Sequence, residues 1–180
     1  MKNTKQSLVI MSLMSFFAFF GFLKAEPIDI NAPAPEAEAL TQDGEKVKLS
    51  DFYKRGTTLV YFYPKSDTPG CTKQACSLRD GFETLTTKGV QIIGVSNDTV
   101  ADQKKFATKY KLPFTLLADK EATVIKAFGV AQTAGFASRQ SFLIHDGKIV
   151  WRDLSASTEK QAEDVLHAIE LVKNNGTIKN

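Results

Sequence analysis

A chain of 180 residues, 43% hydrophobic and 24% charged, makes one domain of ordinary size with a sizeable core, and no internal repeat or low-complexity segment interrupts it. The formal charge of +3 belongs to the first 25 residues: without Lys2, Lys5 and Lys24 the 23 basic residues fall to 20, against 20 acidic ones, which leaves no electrostatic footprint for nucleic acid. Two cysteines and two histidines, with no CxxC and no zinc-type spacing, argue against a metal site.

The chain opens with Lys2 and Lys5, an uncharged apolar run from Leu8 to Leu23, then Lys24-Ala25 and Glu26-Pro27. A basic start, a short apolar middle and a small residue before a polar sequence describe a secretory signal, and the run falls short of the about 20 residues of a membrane span. Residues 1–25 are therefore expected to be a signal peptide, with an exported, periplasmic mature protein. Leu23 stands where a small residue is preferred, so an uncleaved anchor is the alternative and the one route to stable membrane association. Residues 26–39, EPIDINAPAPEAEA, read as a Pro- and Ala-rich linker into a domain spanning 40–180.

Gln42-Asp43-Gly44-Glu45 is a hairpin-type turn, followed by the alternating Val47 and Leu49, and Ser50 is placed to cap a helical turn around Asp51-Phe52-Tyr53. Thr58 to Tyr63 is apolar on both faces, as in a strand at the centre of a covered sheet. A helix from about Pro69 to Thr86 carries Ala75, Leu78, Phe82 and Leu85 at helical spacing. Val90 to Val95 is a second buried strand, Val100 to Tyr110 a polar helix stopped by Pro113, Phe114 to Leu117 a third strand, and Glu121 to Phe128 a short helix ended by Gly129. Arg139 to Ile144 and Lys148 to Trp151 pair across His145-Asp146-Gly147, and a last helix from Thr158 to about Lys173 buries Ala162, Val165, Leu166, Ile169 and Val172. Alternating strands and helices followed by a hairpin and a helix give an α/β chain with a central mixed sheet flanked by helices, an order that fits a thioredoxin-like fold.

The chemistry concentrates in LVYFYPKSDTPGCTKQACSLRD, residues 59–80, which holds both cysteines. With Thr68 as N-cap and Pro69 at the first helical position, Cys71 falls in the first turn. The free N–H groups and dipole of a helix start favour a thiolate, and Gly70 lets another group approach the backbone. Cys71 is thus placed as a nucleophile, while Cys76 lies deeper in the helix. Two cysteines in an exported protein read first as a structural disulfide. In an ideal helix, however, these Cα atoms would be about 8.7 Å apart, beyond the roughly 7 Å limit for a bridge. Either the segment is not helical, or the bond forms only after local unwinding.

The stretch resembles the peroxiredoxin family, specifically the bacterioferritin-comigratory-protein or peroxiredoxin Q group of the AhpC/TSA superfamily. Pro64, Thr68 and Cys71 match its PxxxTxxC motif, PKSDTPGCT and ACSLRD are similar nearly letter for letter, and the resemblance covers most of the mature chain. It implies a thioredoxin-like fold and reduction of hydroperoxides without metal or organic cofactor. It further implies that Cys71 is the peroxidatic and Cys76 the resolving cysteine, that Pro64 shields the thiol, and that the Thr68 hydroxyl bonds thiolate and peroxide. Arg139, in RQSFLI, matches the family's active-site Arg. A Cys71 sulfenic acid would condense with Cys76, and a thioredoxin-like dithiol would reset the disulfide. A local cysteine pair needs no partner subunit, so a monomer is expected.

Taken without the resemblance, Arg139 reads as a surface strand residue and Thr68 as a cap. Lys65, Asp67 and Lys73 read as loop and surface charges, Arg79 as a partner for Glu83, His145 and His167 as solvated, and Trp151 as a packing residue. The segment 131–138 is a short loop with no assigned role. The competing activity is an exported thiol–disulfide oxidoreductase, which lacks the expected CxxC. An inert exported domain with a static disulfide is the non-enzymatic alternative, and a cysteine protease lacks a placed His.

Overall fold

The computed structural model describes residues 26–175; the apolar N-terminal run, and with it the expected signal peptide, lies outside the described residues. In chain order the elements are β1 (Glu38–Thr41), β2 (Lys46–Lys48), α1 (Leu49–Tyr53), β3 (Thr57–Phe62), α2 (Pro69–Asp80), α3 (Phe82–Thr87), β4 (Val90–Ser96), α4 (Val100–Tyr110), β5 (Thr115–Ala118), α5 (Thr123–Ala127), β6 (Gln132–Thr133), β7 (Phe136–Ala137), β8 (Gln140–His145), β9 (Lys148–Asp153) and α6 (Gln161–Asn174). Among the described residues the main sheet has seven strands in the order β2-β1-β5-β4-β3-β8-β9. It is mixed, as expected: β3, β4 and β5 run parallel, while β1 and β8 pair antiparallel with β5 and β3.

The all-buried β3 lies between β4 and β8 and sorts the core by strand alternation. Leu59, Tyr61 and Tyr63 point to one layer, where they meet Cys71, Ala75 and Leu78 of α2, Phe106 of α4, and Val165 and Ile169 of α6. Val60 and Phe62 point to the other, with Ile93, Val95, Val124, Phe128 and Phe142. The loop after β3 and the first turn of α2 therefore emerge over the first layer.

Several local readings change. The single helix expected from Pro69 to Thr86 is broken at Gly81, with φ −89° and ψ 3°. A Cβ there would lie 2.7 Å from the Ala162 Cβ, so α6 passes too close for any residue but glycine to sit there unshifted. Ser50 does not cap α1, which starts one residue before it with Lys48 at the cap position. The last helix begins at Gln161 rather than Thr158, and Leu166 on it is half-buried. The segment 131–138 is not a plain loop but contains the β6–β7 ribbon, turned by Ala134 and Gly135 at φ 51° and 81°. The β8–β9 turn also has two left-handed residues, Asp146 and Gly147 at φ 49° and 69°, the backbone of a type I′ hairpin.

The segment read as a linker packs against the domain. Asn31 N–H donates to Ile149 O at 2.7 Å, Ala34 N–H to Gly147 O at 2.8 Å, and Ala32 O accepts from Ile149 N–H at 3.0 Å. Arg152 donates to Pro27 O and Ile28 O and pairs with Asp29 at 2.8 Å. An extended, Pro-rich segment suits this place, because β9 is a sheet edge that needs covering. His145 is 19% exposed rather than free in solvent, with Nδ1 2.8 Å from the Thr57 hydroxyl. Arg79 pairs with Asp80 at 2.7 Å and donates to Tyr110 O, not to Glu83, its donors being taken up by these two partners. His167 is exposed, and Trp151 packs half-buried on the first core layer. No helix among the described residues is long and apolar enough to cross a membrane.

Gly94 on β4 has no side chain because the Tyr61 ring crosses it: a Cβ would lie 2.7 Å from Tyr61 Cζ and from Leu116 Cδ2. Gly94→Ala is expected to lower stability by about 2 kcal/mol through overpacking. Chemical denaturation measures this, and an unchanged midpoint would contradict the packing described.

Candidate active site

The site forms where β3 ends. Tyr63 keeps one more sheet bond, its N–H donating to Val95 O at 3.1 Å, and the chain leaves the sheet at Pro64, which has no N–H to continue the ladder. Two tethers then hold the loop. Ser66 N–H donates to Asp98 Oδ2 at 2.7 Å, an oxygen that also accepts from the Ser96 hydroxyl at 2.6 Å. Asp67 sits in the left-handed region at φ 57°, and its carboxylate accepts from Lys109 Nζ at 2.8 Å and from the Tyr110 hydroxyl at 2.6 Å. These bonds, the Lys109 one first, lower the Asp67 carboxyl from its ordinary range, and the same pairing raises the Lys109 ammonium. The sequence reading of Asp67 as a surface charge misses this tie to α4.

Thr68 is the N-cap of α2 in backbone terms, extended at φ −89° and ψ 154°, with Pro69 following. Its side chain does not cap the helix, contrary to the expected double role. The hydroxyl donates back to Lys65 O at 2.9 Å and closes the loop. A hydroxyl whose proton is engaged offers only lone pairs to a neighbour. Donation from Thr68 to a thiolate therefore requires the Lys65 bond to open.

Cys71 lies in the first turn of α2, only 2% exposed. Amides at this end of a helix have no intrahelical carbonyl to bond and point toward any anion placed there. Arg139, immediately before β8, donates through Nη2 to Cys71 Sγ at 3.4 Å and through Nη1 to Gln74 Oε1. A Cβ on Gly70 would lie 3.3 Å from Arg139 Nη2, a close contact that the glycine spares the guanidinium. The aromatic floor beneath, Tyr61 stacked on Tyr63 at 5.4 Å, is kept neutral: burial pushes both phenols well above their ordinary range. Arg139 thus faces the sulfur with no competing phenolate.

Cys76 is half-buried, both thiols are free, and α2 is unbroken between them. The helix is attached to α6 and the turn before it by Lys73–Glu159 at 2.6 Å, by Gln74 Nε2 donating to Gln161 Oε1 at 2.7 Å, and by Ala162 N–H donating to Ser77 Oγ at 3.2 Å. Of the five residues singled out from sequence, Cys71 and Arg139 are in contact. Thr68 and Pro64 shape the loop leading to them, and Cys76 stands apart. Gln74 was overlooked, although its position three residues after Cys71 puts it on the same helix face.

A positively charged donor beside a buried sulfur at a helix start suits attack by that sulfur, with negative charge developing on a leaving atom. The chain is also similar to known proteins. The sequence model of the AhpC/TSA family matches residues 30–152. Peroxiredoxin Bcp of Escherichia coli (strain K12) is 44% identical over 131 residues, which cover 68% of this chain and 83% of that one. Chloroplastic peroxiredoxin Q of Oryza sativa subsp. japonica is 45% identical over 119 residues, 65% of this chain, and the chain spans about half the length of that rice relative, 54%. Among solved structures, peroxidoxin BcpB from Mycobacterium tuberculosis superposes with a TM-score of 0.75 at 30% identity, over 81% of this chain and 98% of that one. The Xanthomonas campestris bacterioferritin comigratory protein, whose alkyl peroxide reduction activity is described, superposes with a TM-score of 0.70 at 25% identity, over 75% of this chain and 90% of that one.

Removing the charged donor should show in rate rather than in folding. Arg139→Ala is expected to slow attack of Cys71 on hydrogen peroxide by about a hundredfold, the usual loss for one donor to a developing charge, with cooperative unfolding retained. Stopped-flow oxidation measures the first and thermal melting the second. An unchanged rate would remove Arg139 from the chemistry.

Proposed function

The chain belongs to the AhpC/TSA family, and on that footing we propose that it is a thiol-dependent peroxidase that reduces hydrogen peroxide and organic hydroperoxides, with Cys71 attacking and Cys76 resolving. The observation that carries the reading is the Arg139 guanidinium 3.4 Å from the buried Cys71 sulfur at the start of α2. Peroxiredoxin names among the relatives support the reaction class, and the alkyl peroxide activity of the Xanthomonas campestris protein supports organic hydroperoxides as substrates.

The Cys71 thiolate attacks one peroxide oxygen, and the O–O bond breaks. The departing hydroxide or alkoxide takes a proton to leave as water or alcohol, and Cys71 becomes a sulfenic acid. Arg139 and the first-turn amides bear the charge that builds on the oxygens during this step. The Cys76 thiol then attacks the sulfenic sulfur, water leaves, and a Cys71–Cys76 disulfide forms. Across an intact helix the two Cα atoms are about 8.7 Å apart, too far for the bond, so α2 unwinds locally at this point. A thioredoxin-like dithiol returns both thiols by exchange, donating two electrons and two protons and leaving as its own disulfide. The local pair supports a monomer as the working unit. Export to the periplasm is proposed from Lys2, Lys5 and the apolar run alone.

The test is peroxide consumption driven by a dithiol reductase. Cys71→Ser should abolish it. Cys76→Ser should consume one equivalent of peroxide and then stop, because the sulfenic acid has no resolving partner. Full sustained turnover in Cys71→Ser would overturn the proposal.

A further inference from the structure

Gln161, the first residue of α6, is fully buried, as are Gln74 and Ser141. Its Oε1 accepts from Gln74 Nε2 at 2.7 Å and from the Ser141 hydroxyl at 3.0 Å. Gln74 Oε1 accepts in turn from Arg139 Nη1, and the other arm of that guanidinium reaches Cys71 Sγ. Ser141, Gln161, Gln74, Arg139 and Cys71 therefore form one continuous polar chain beside the first core layer.

We propose that Gln161 is a positioning residue for the Cys71 reaction: by accepting the Gln74 amide hydrogen it keeps the Gln74 oxygen turned toward Arg139. The argument runs on donors and acceptors. A guanidinium only donates, so it needs the oxygen end of the Gln74 amide. The nitrogen end of that amide is then buried on the far side and needs an acceptor, because an unsatisfied buried donor is expensive. Gln161 Oε1 supplies that acceptor, and Ser141, two residues after Arg139 on β8, donates to the same oxygen and fixes its place. Without it, the Gln74 amide turns or withdraws to satisfy its nitrogen, and Arg139 loses its brace. A second observation agrees. The Gln161 nitrogen is buried with no hydrogen-bond partner among the described residues, at a position one helical turn before the fully buried Val165. Packing alone favours an apolar residue there, and of the amide only the oxygen is hydrogen-bonded.

The peroxide readout of this proposal rests on the peroxidase reading, so the experiment carries a second readout. In a Cys76→Ser background, Gln161→Leu is expected to slow Cys71 oxidation by hydrogen peroxide roughly tenfold. Alkylation of Cys71 by iodoacetamide at neutral pH, which reports on the guanidinium–sulfur contact without peroxide chemistry, is expected to slow as well. Both measurements are repeated with Gln74→Glu, whose carboxylate has an oxygen at each end and no hydrogen to place. There, adding Gln161→Leu should change neither rate by more than about twofold. Equal losses in the two backgrounds, or no loss in either, would overturn the positioning role. If Gln161→Leu fails to fold, Gln161→Met carries the same comparison. A parent protein inert to peroxide, with the alkylation pattern intact, would sink the peroxidase reading and leave the positioning role standing.

Discussion

A guanidinium group does not stay beside a buried sulfur unaided. Holding one arginine side chain in a single geometry forfeits about 2 kcal/mol of rotamer freedom. Hydrogen bonds involving a charged group return roughly 1.5–3 kcal/mol each. With Cys71 and Gln74 both accepting from Arg139, the balance favours the observed placement; with Cys71 alone it is close to even. The surrounding structure is arranged around that balance. Gly70 leaves the space, Ala156 N–H fixes the Arg139 carbonyl at 3.2 Å, and Gln161 completes the Gln74 amide. The central strands β3 and β8, paired antiparallel, bring the two sides of the site together.

The same helix that presents Cys71 stands in the way of the proposed disulfide. Its ties to α6 are individually modest: an exposed Lys73–Glu159 pair contributes little, and the Ser77 cap and Gln74–Gln161 bond contribute about 1 kcal/mol each. Leu78 is different, since taking a fully buried leucine back into water costs about 1.5–3 kcal/mol. Unwinding confined to the turns before Leu78 is therefore the cheaper path, and it reaches Cys76. The bend at Gly81 separates this stretch from α3, where Leu85 stays in the core. Opening the first turns also takes Gln74 off Arg139, so the attacking and resolving arrangements exclude one another.

Much of this was legible in the sequence because it is local. The continuous apolar runs of β3 and β4 mark covered strands, and the polar helix α4 has the bounds expected, Val100–Tyr110. The Thr68-Pro69 start places Cys71 in a first turn by capping chemistry alone. What escaped the sequence depends on residues far apart. Gly81 is crowded by Ala162, His145 is held by the Thr57 hydroxyl, and Arg139 is braced by Gln74 and Gln161 from different helices. Residues 26–39 look like a linker because Pro and Ala give no periodic signal, yet their backbone hydrogen-bonds to the β8–β9 hairpin. The Thr68 hydroxyl is the subtler case. Its residue type suits a cap and a catalytic donor, and only the fold of the Lys65–Thr68 loop directs it to a carbonyl.

The central claim is that Cys71 attacks and Cys76 resolves within one chain. Its most direct test is the intact mass of the reduced protein before and after one equivalent of hydrogen peroxide, run beside Cys76→Ser. The account predicts rapid loss of two hydrogens in the parent and gain of one oxygen in the variant. Thiols that stay unreacted for minutes, or a parent that gains oxygen without forming the disulfide, would contradict it.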